Sequence, residues 1–316
     1  MTQSILLFGG LLPPEVALLS KHFNVLRFSH DRDPEAVIRE NRDDIVGVIS
    51  VPSLGVSRSL IEALPNLEII SQFGVGIDNI DLAAAKERNI AVTNTPELVT
   101  NDTADIALAL LLGVARRTME ADLFVRIGKW KNGSLGMSTS LTGKKAGILG
   151  LGRIGKAIAQ RASAFEMDIL YHSRSEKEGV AYEYVPSVKE LAEKSDFLIC
   201  ACPGTAETEN IVNAEILEAL GPDGFLINIA RGSVVDEDAL LVALTNQQIA
   251  GAGLDVFKNE PHVPEALFKM DNVVLFPHIG TATTETRSQM GQLVLGNLLA
   301  HFKGEPLLTP VELLTE

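Results

Sequence analysis

The segment that most limits the fold is Gly150-Leu151-Gly152-Arg153-Ile154-Gly155. It follows an apolar run, KKAGIL, and opens an amphipathic stretch, KAIAQRASAF. A strand that turns directly into a helix through three glycines needs positive φ or very close backbone approach, which a Cβ would forbid. The helix start then presents unpaired N–H groups and the positive end of its dipole, a setting that suits a pyrophosphate. A tight structural turn would use the same glycines, but their place between strand and helix favours a dinucleotide. The motif therefore predicts a parallel α/β domain in which Gly150, Gly152, Arg153, Ile154 and Gly155 contact the cofactor.

The next strand, MDILYHSRS, bears on which dinucleotide is bound. A carboxylate at its end would accept from a ribose 2′-hydroxyl, yet the chain offers His172, Ser173, Arg174 and Ser175 there. A guanidinium fork flanked by hydroxyls matches a 2′-phosphate instead. One charge-assisted hydrogen bond contributes roughly 1.5–3 kcal/mol, or about ten- to a hundredfold in affinity. Ser173, Arg174 and Ser175 are thus expected to select NADPH (NADP+) over NADH, the bland reading of Arg174 being a solvated surface residue.

At 316 residues the chain exceeds what one core usually organises, so two domains are expected. Five short apolar runs in the first hundred residues (SILLFGG, NVLRFSH, IVGVIS, LEIISQFG, IAVTN) alternate with amphipathic stretches and read as a small parallel α/β unit. Six more (KKAGILG, MDILYHS, DFLICAC, GFLINIA, IAGAGLDVF, NVVLFPH) describe a doubly wound sheet. Helical spacing runs through Asn101–Trp130 and again through Thr283–Phe302, and the second helix would return the chain to the first domain. The predicted class is α/β with two doubly wound parallel sheets. A Rossmann cofactor domain spans 100–282, and a discontinuous flavodoxin-like substrate domain spans 1–99 plus 283–316.

The formal charge of −14 argues against nucleic acid and anionic membranes as partners, because both are drawn by Lys and Arg. A site for an anionic substrate must then be locally positive. No apolar run reaches membrane-spanning length and the first residues lack a secretory pattern, so a cytoplasmic protein is expected. Cys200 and Cys202, in FLICAC, fall on one face of a strand and read as buried thiols; no metal site is expected.

Three segments at predicted strand ends carry polar residues that a structural strand end would not need: INIARGSVVDEDAL, GAGLDVFKNEP and FPHIGTAT. They bring Arg231, Glu260 and His278 to the sheet edge where open α/β sheets bind ligands. Reduction of a 2-oxo acid requires a proton for the carbonyl and a cation for the carboxylate, which His278 and Arg231 would supply. Glu260 would orient the imidazole and favour its charged form. Singly, each has a bland reading: a capping arginine, a loop charge, a satisfied buried histidine.

Together, GLGRIGKAIA, ARGxxxDExAL, GLDVFxxEP and PHIGTAT resemble the D-2-hydroxyacid dehydrogenase family, in order and over nearly the whole chain. The resemblance implies His278 as acid/base, Glu260 as its partner and Arg231 as the group that binds and polarises a small 2-oxo acid. It implies that the QFGVGID segment holds the substrate carboxylate on backbone N–H groups, with Val75 and Gly76 in contact. Thr103, Cys202, Pro203, Ala230, Asp255, His278 and Gly280 are implied beside the cofactor, with Asp105 serving the helix end. The branch it is similar to holds glyoxylate, hydroxypyruvate, hydroxyphenylpyruvate and 2-ketogluconate reductases. A small polar wall at Val51–Gly55 leans toward hydrophilic substrates. The family implies a homodimer through the cofactor domain and the arm RIGKWKNGSLGMSTSLTGK, in which Trp130 would reach a partner or anchor the arm. Corepressors of this fold, which sense dinucleotide, keep the catalytic residues but resemble NAD(H) binders with an acidic residue where this chain has Ser173-Arg174.

Overall fold

A computed structural model describes residues 3–28 and 34–313. The chain forms two compact units, Met1–Val99 with Thr281–Glu316, and Thr100–Gly280.

In the first unit, β1 (Ser4–Leu7), β2 (Asn24–Arg27), β3 (Ile45–Ser50), β4 (Ile69–Gln72) and β5 (Ala91–Thr93) form one parallel sheet in the order β2-β1-β3-β4-β5. The residues of β1 and β4 are buried throughout, which is why these strands read as continuous apolar runs rather than alternating ones. The order reverses between β1 and β3, so the loops that follow them flank the switch point where such sheets take ligands. The Thr284–Lys303 helix, capped by the Thr283 hydroxyl accepting from the Thr286 N–H, packs on β4 and on the Pro13–Leu19 helix of the same unit.

In the second unit, seven parallel strands run β12-β11-β10-β9-β6-β7-β8, with β6 (Lys145–Leu149), β7 (Asp168–His172), β8 (Glu183–Tyr184), β9 (Phe197–Cys200), β10 (Phe225–Asn228), β11 (Gly251–Leu254) and β12 (Val273–Leu275). Side chains alternate between two cores: Phe225 and Ile227 enter one, Leu226 the other. Cys200 and Cys202 share a core, as strand alternation requires, and burial pushes the Cys202 thiol up to about 11 and raises the Cys200 thiol as well.

Two expectations are corrected. The second sheet has a seventh strand, β8, whose two residues are too few to show a period-2 pattern. The helical stretch from 101 to 130 is not continuous: Arg117 turns left-handed (φ 53°) between the Thr100–Arg116 and Thr118–Arg126 helices. Among the described residues no helix is long and apolar enough to cross a membrane, and no cluster of His, Cys, Asp and Glu could hold a metal.

Candidate active site

The switch point of the second sheet lies between β6 and β9, and the glycine loop leaves β6 there. Gly150 has φ 101°, and a Cβ on it would sit 2.7 Å from the Cys202 backbone. A Cβ on Gly155 would lie 2.1 Å from the Gly150 carbonyl oxygen, so the Arg153–Ala164 helix can close on the loop only with glycine there. Gly152 is different: a Cβ on it would meet nothing within 4 Å, and as N-cap it offers no side chain to the first N–H groups. Space and donors are therefore both left open at the helix start, which fits a pyrophosphate. Ile154 packs against the core, whereas Gly152 and Arg153 are exposed.

Ser173 does more than offer a hydroxyl to a cofactor. Its Oγ accepts from the Leu151 N–H at 3.0 Å and ties the end of β7 to the glycine loop. Arg174 and Ser175 are exposed and make no hydrogen bond or ion pair with another described residue. Cys202 is buried against the glycine loop and Pro203 is exposed beside it, its carbonyl accepting from Thr208 Oγ1 at 2.7 Å.

Beyond β10, Asn228 folds the turn that carries Arg231. Its side chain is 1% exposed; Nδ2 donates to the Arg231 carbonyl (2.9 Å) and Oδ1 accepts from the Ala230 N–H (3.0 Å). Arg231 Nη1 donates to the Ala230 carbonyl at 2.8 Å, and its stem packs on Gly204. Gly232 touches the Phe257–Lys258 backbone so closely that a Cβ would lie 2.0 Å from the Phe257 carbonyl carbon. The Arg231 turn and the Glu260 loop are thus packed backbone to backbone.

Glu260 accepts from the Phe257 N–H through Oε1 (3.0 Å) and from His278 Nδ1 through Oε2 (2.7 Å). Burial alone would raise its carboxyl. The His278 hydrogen bond and charge, the Phe257 N–H and the Arg231 guanidinium outweigh that and hold it below its ordinary value. An ionised carboxylate can only accept, so Nδ1 is the donor and Nε2 is left without a partner among the described residues.

His278 itself is held by Asp255, which is 1% exposed. The Asp255 carbonyl accepts from the His278 N–H (2.9 Å), and its carboxylate from the N–H groups of Ile279 (2.7 Å) and Gly280 (2.9 Å). Burial raises the Asp255 carboxyl despite these bonds. Thr103 donates a long bond (3.4 Å) to the Gly280 carbonyl. Asp105 does not serve a helix end: it lies beyond the first turn and pairs with Arg161 Nε at 2.6 Å, joining two helices.

The QFGVGID segment of the first unit is held by groups the sequence did not single out. Gln72 is fully buried, accepts from the Ser50 hydroxyl and donates to the Gly76 carbonyl at 2.9 Å. Asn94 Nδ2 donates to the Val75 carbonyl (2.9 Å) and the Thr95 N–H to that of Gly74 (2.9 Å). Asn79 donates to the Val51 and Pro52 carbonyls at 3.1 and 2.7 Å, fixing the Val51–Gly55 loop beside it. Three successive carbonyls are thus engaged, while the N–H groups of Val75 and Gly76 donate to no described residue. A polar residue at a buried strand end, as in FLIN and IISQ, is the signal that would have found Asn228 and Gln72.

Two parallel α/β sheets, a glycine loop at the switch point of one and a Glu-held histidine on the same edge define a dinucleotide-dependent α/β enzyme. Residues 108–280 match the D-isomer specific 2-hydroxyacid dehydrogenase, NAD binding domain. The chain is 52% identical over 293 residues to glyoxylate/hydroxypyruvate reductase A of Arabidopsis thaliana, covering 93% of this chain and 94% of that one. It is 47% identical over 267 residues to 2-ketogluconate reductase of Gluconobacter oxydans, covering 84% and 86%. The crystal structure of NADPH-dependent glyoxylate/hydroxypyruvate reductase from Sinorhizobium meliloti, in complex with NADP and malonate, superposes with a TM-score of 0.93 at 44% identity, covering 99% of this chain and 98% of that one. The chain belongs to the D-isomer specific 2-hydroxyacid dehydrogenase family.

Proposed function

We propose that this chain is a cytoplasmic, NADPH-dependent reductase that converts small 2-oxo acids, such as glyoxylate, hydroxypyruvate or 2-keto-D-gluconate, into D-2-hydroxy acids. The observation that carries the reading is the 2.7 Å bond from His278 Nδ1 to a carboxylate kept ionised, on the sheet edge that also bears the glycine loop. NADPH, when bound, supplies the hydride. Gly150, Gly152, Arg153, Ile154 and Gly155 would hold its pyrophosphate, and Arg174 with Ser173 and Ser175 its 2′-phosphate. Thr103, Cys202, Pro203, Ala230, Asp255 and Gly280 would border the rest of it.

The chain's own work is charge placement. Arg231 takes the substrate carboxylate and its guanidinium polarises the neighbouring carbonyl; in the first unit, the N–H groups of Val75 and Gly76 are the donors that the family resemblance assigns to a carboxylate. His278 donates the Nε2 proton to the carbonyl oxygen as negative charge develops there, and Glu260 stabilises the imidazolium that precedes the transfer. Asp255 fixes the left-handed turn (φ 52°) that aims the ring.

The substitution of Ser173-Arg174 for a carboxylate after β7, and relatives named as reductases, support turnover over a dinucleotide-sensing role. A homodimer is part of the same reading, because the Thr118–Arg126 helix buries none of its residues within the chain and Trp130 is 68% exposed, so it anchors nothing in its own protomer. The test is the initial rate of NADPH and of NADH oxidation with each 2-oxo acid offered separately. Faster oxidation of NADPH is expected; binding of either cofactor without turnover of any acid would overturn the reading.

A further inference from the structure

Just after β7, a short span of chain is held at both ends. At the near end the Ser173 hydroxyl accepts from the Leu151 N–H, and the His172 carbonyl accepts from the Gly150 N–H at 2.8 Å. At the far end the Lys177 N–H donates to the Tyr171 hydroxyl at 2.9 Å. Arg174, Ser175 and Glu176 lie between these anchors, and all three are exposed. Every residue of the arrangement belongs to the Thr100–Gly280 unit.

Packing alone does not call for a tyrosine at the far anchor. Tyr171 is 1% exposed, and its ring lies 5.5 Å from that of Tyr184 in the core that also takes Ile169. Phenylalanine would fill the same place, and a buried hydroxyl is costly unless it is hydrogen-bonded. The Lys177 N–H is the one group among the described residues bonded to that hydroxyl. Lys177 is itself exposed, so water can serve its N–H and the fold does not depend on the tie. Tyr184 supports the near anchor in parallel: its hydroxyl donates a long bond (3.4 Å) to the Ser173 carbonyl, and its ring stacks on His172, whose Nδ1 donates to the Val185 carbonyl at 2.9 Å.

Fixing both ends of a three-residue span removes conformations before a ligand arrives, so donors carried on it lose less entropy on binding. The donors here are the Arg174 guanidinium and the Ser175 hydroxyl, neither of which has a partner among the described residues. The NADPH reading, on which this inference rests, gives them the 2′-phosphate. We propose that Tyr171 is a positioning residue for cofactor choice. By holding the Lys177 N–H, its hydroxyl presets the Arg174–Ser175 span for a phosphate on the ribose 2′-oxygen and takes no part in holding the rest of the dinucleotide.

The experiment measures binding rather than turnover: NADPH and NADH are titrated by fluorescence into the full-length wild type, Tyr171→Phe and Arg174→Ala. Tyr171→Phe keeps the ring and removes only the hydroxyl. Its NADPH-to-NADH affinity ratio is expected to fall about two- to tenfold, the share of one neutral hydrogen bond, with NADH affinity unchanged. A ratio equal to that of the wild type, including a loss shared by both cofactors, would overturn the proposal and leave the hydroxyl to the fold. Arg174→Ala separates the two readings. An unaltered ratio there would bring down the 2′-phosphate assignment and this inference with it, whereas a ratio that falls in Arg174→Ala but not in Tyr171→Phe would bring down this inference alone. Hydrogen exchange at the Lys177 amide of the wild type needs no variant. Slowed exchange is expected before any cofactor is added, and exchange at the rate of an open chain would overturn the proposal, because the span would not be fixed in advance.

Discussion

At the scale of single residues, the His278–Glu260 bond is the feature whose removal is easiest to read. His278→Gln keeps the size and a donor but removes the transferable proton, so kcat should fall by about a hundred- to ten-thousandfold while NADPH affinity, measured by fluorescence titration, stays near wild type. An unchanged kcat would remove the histidine from acid catalysis. Glu260 adds a pH signature. Its carboxyl is held below the unfolded value of about 4.3, so the stability it contributes is fully present above that value and disappears as pH falls through the lowered one. Glu260→Gln should therefore lower Tm at neutral pH and progressively less on acidification; a Tm difference indifferent to pH would mean that the charge is not what stabilises the loop. Arg174 acts on neither. With its guanidinium exposed and unpaired among the described residues, Arg174→Ala should leave Tm within about 0.5 kcal/mol of unchanged stability. The ratio of kcat/KM for NADPH over NADH should drop about ten- to a hundredfold.

At the scale of elements, what the sequence disclosed depended on whether a pattern was long enough to carry a period. Buried parallel strands announce themselves as apolar runs, and GLGRIG and PHIGTAT stand where those runs end, so eleven of the twelve described strands were legible, as was the placing of Arg231, Glu260 and His278 at strand ends of the candidate site. β8 has two residues and no period, and Arg117 breaks a helical repeat through a left-handed turn that a non-glycine side chain does not advertise. The supports of the site were equally hidden. Asn228, Gln72 and Asn79 act through hydrogen bonds to backbone groups that only the folded chain brings near. Ser173 matches a cofactor donor by position and also a loop tie by geometry. The tightest of these supports is the contact of Gly232 with Phe257 and Lys258. Gly232→Ala would set a methyl 2.0 Å from backbone that no rotamer change can move, so the Arg231 turn and the Glu260 loop must separate. A destabilisation of about 1–3 kcal/mol is expected from denaturant unfolding, with kcat reduced in the surviving native fraction. Wild-type kinetics in that variant would show that the two loops need not touch for catalysis.

At the scale of the whole molecule, a protein with a formal charge of −14 leaves one stretch of its surface conspicuously apolar. Met119, Leu123 and Ile127 follow one another at four-residue spacing along and just past the Thr118–Arg126 helix, so they share a face, and they are 52%, 54% and 54% exposed. Further along the chain, Trp130 and Met137 are 68% and 96% exposed. Scattered surface apolar residues need no explanation, but three on one helix face followed by two more on the arm after it are what a covering partner would bury. Self-association is the economical cover: a two-fold contact doubles every apolar residue it buries and needs no second gene product. Placing one carboxylate per protomer at the centre of that row, as Leu123→Glu, would force two like charges into the contact without touching either unit's core, because no residue of that helix is buried within the chain. Sedimentation velocity is expected to show a dimer for the wild type and a monomer for Leu123→Glu at the same micromolar concentration, with the circular dichroism spectrum of the fold retained. A wild type that sediments as a monomer, or a variant that stays dimeric, would place the contact elsewhere and leave the apolar row without a partner of its own kind.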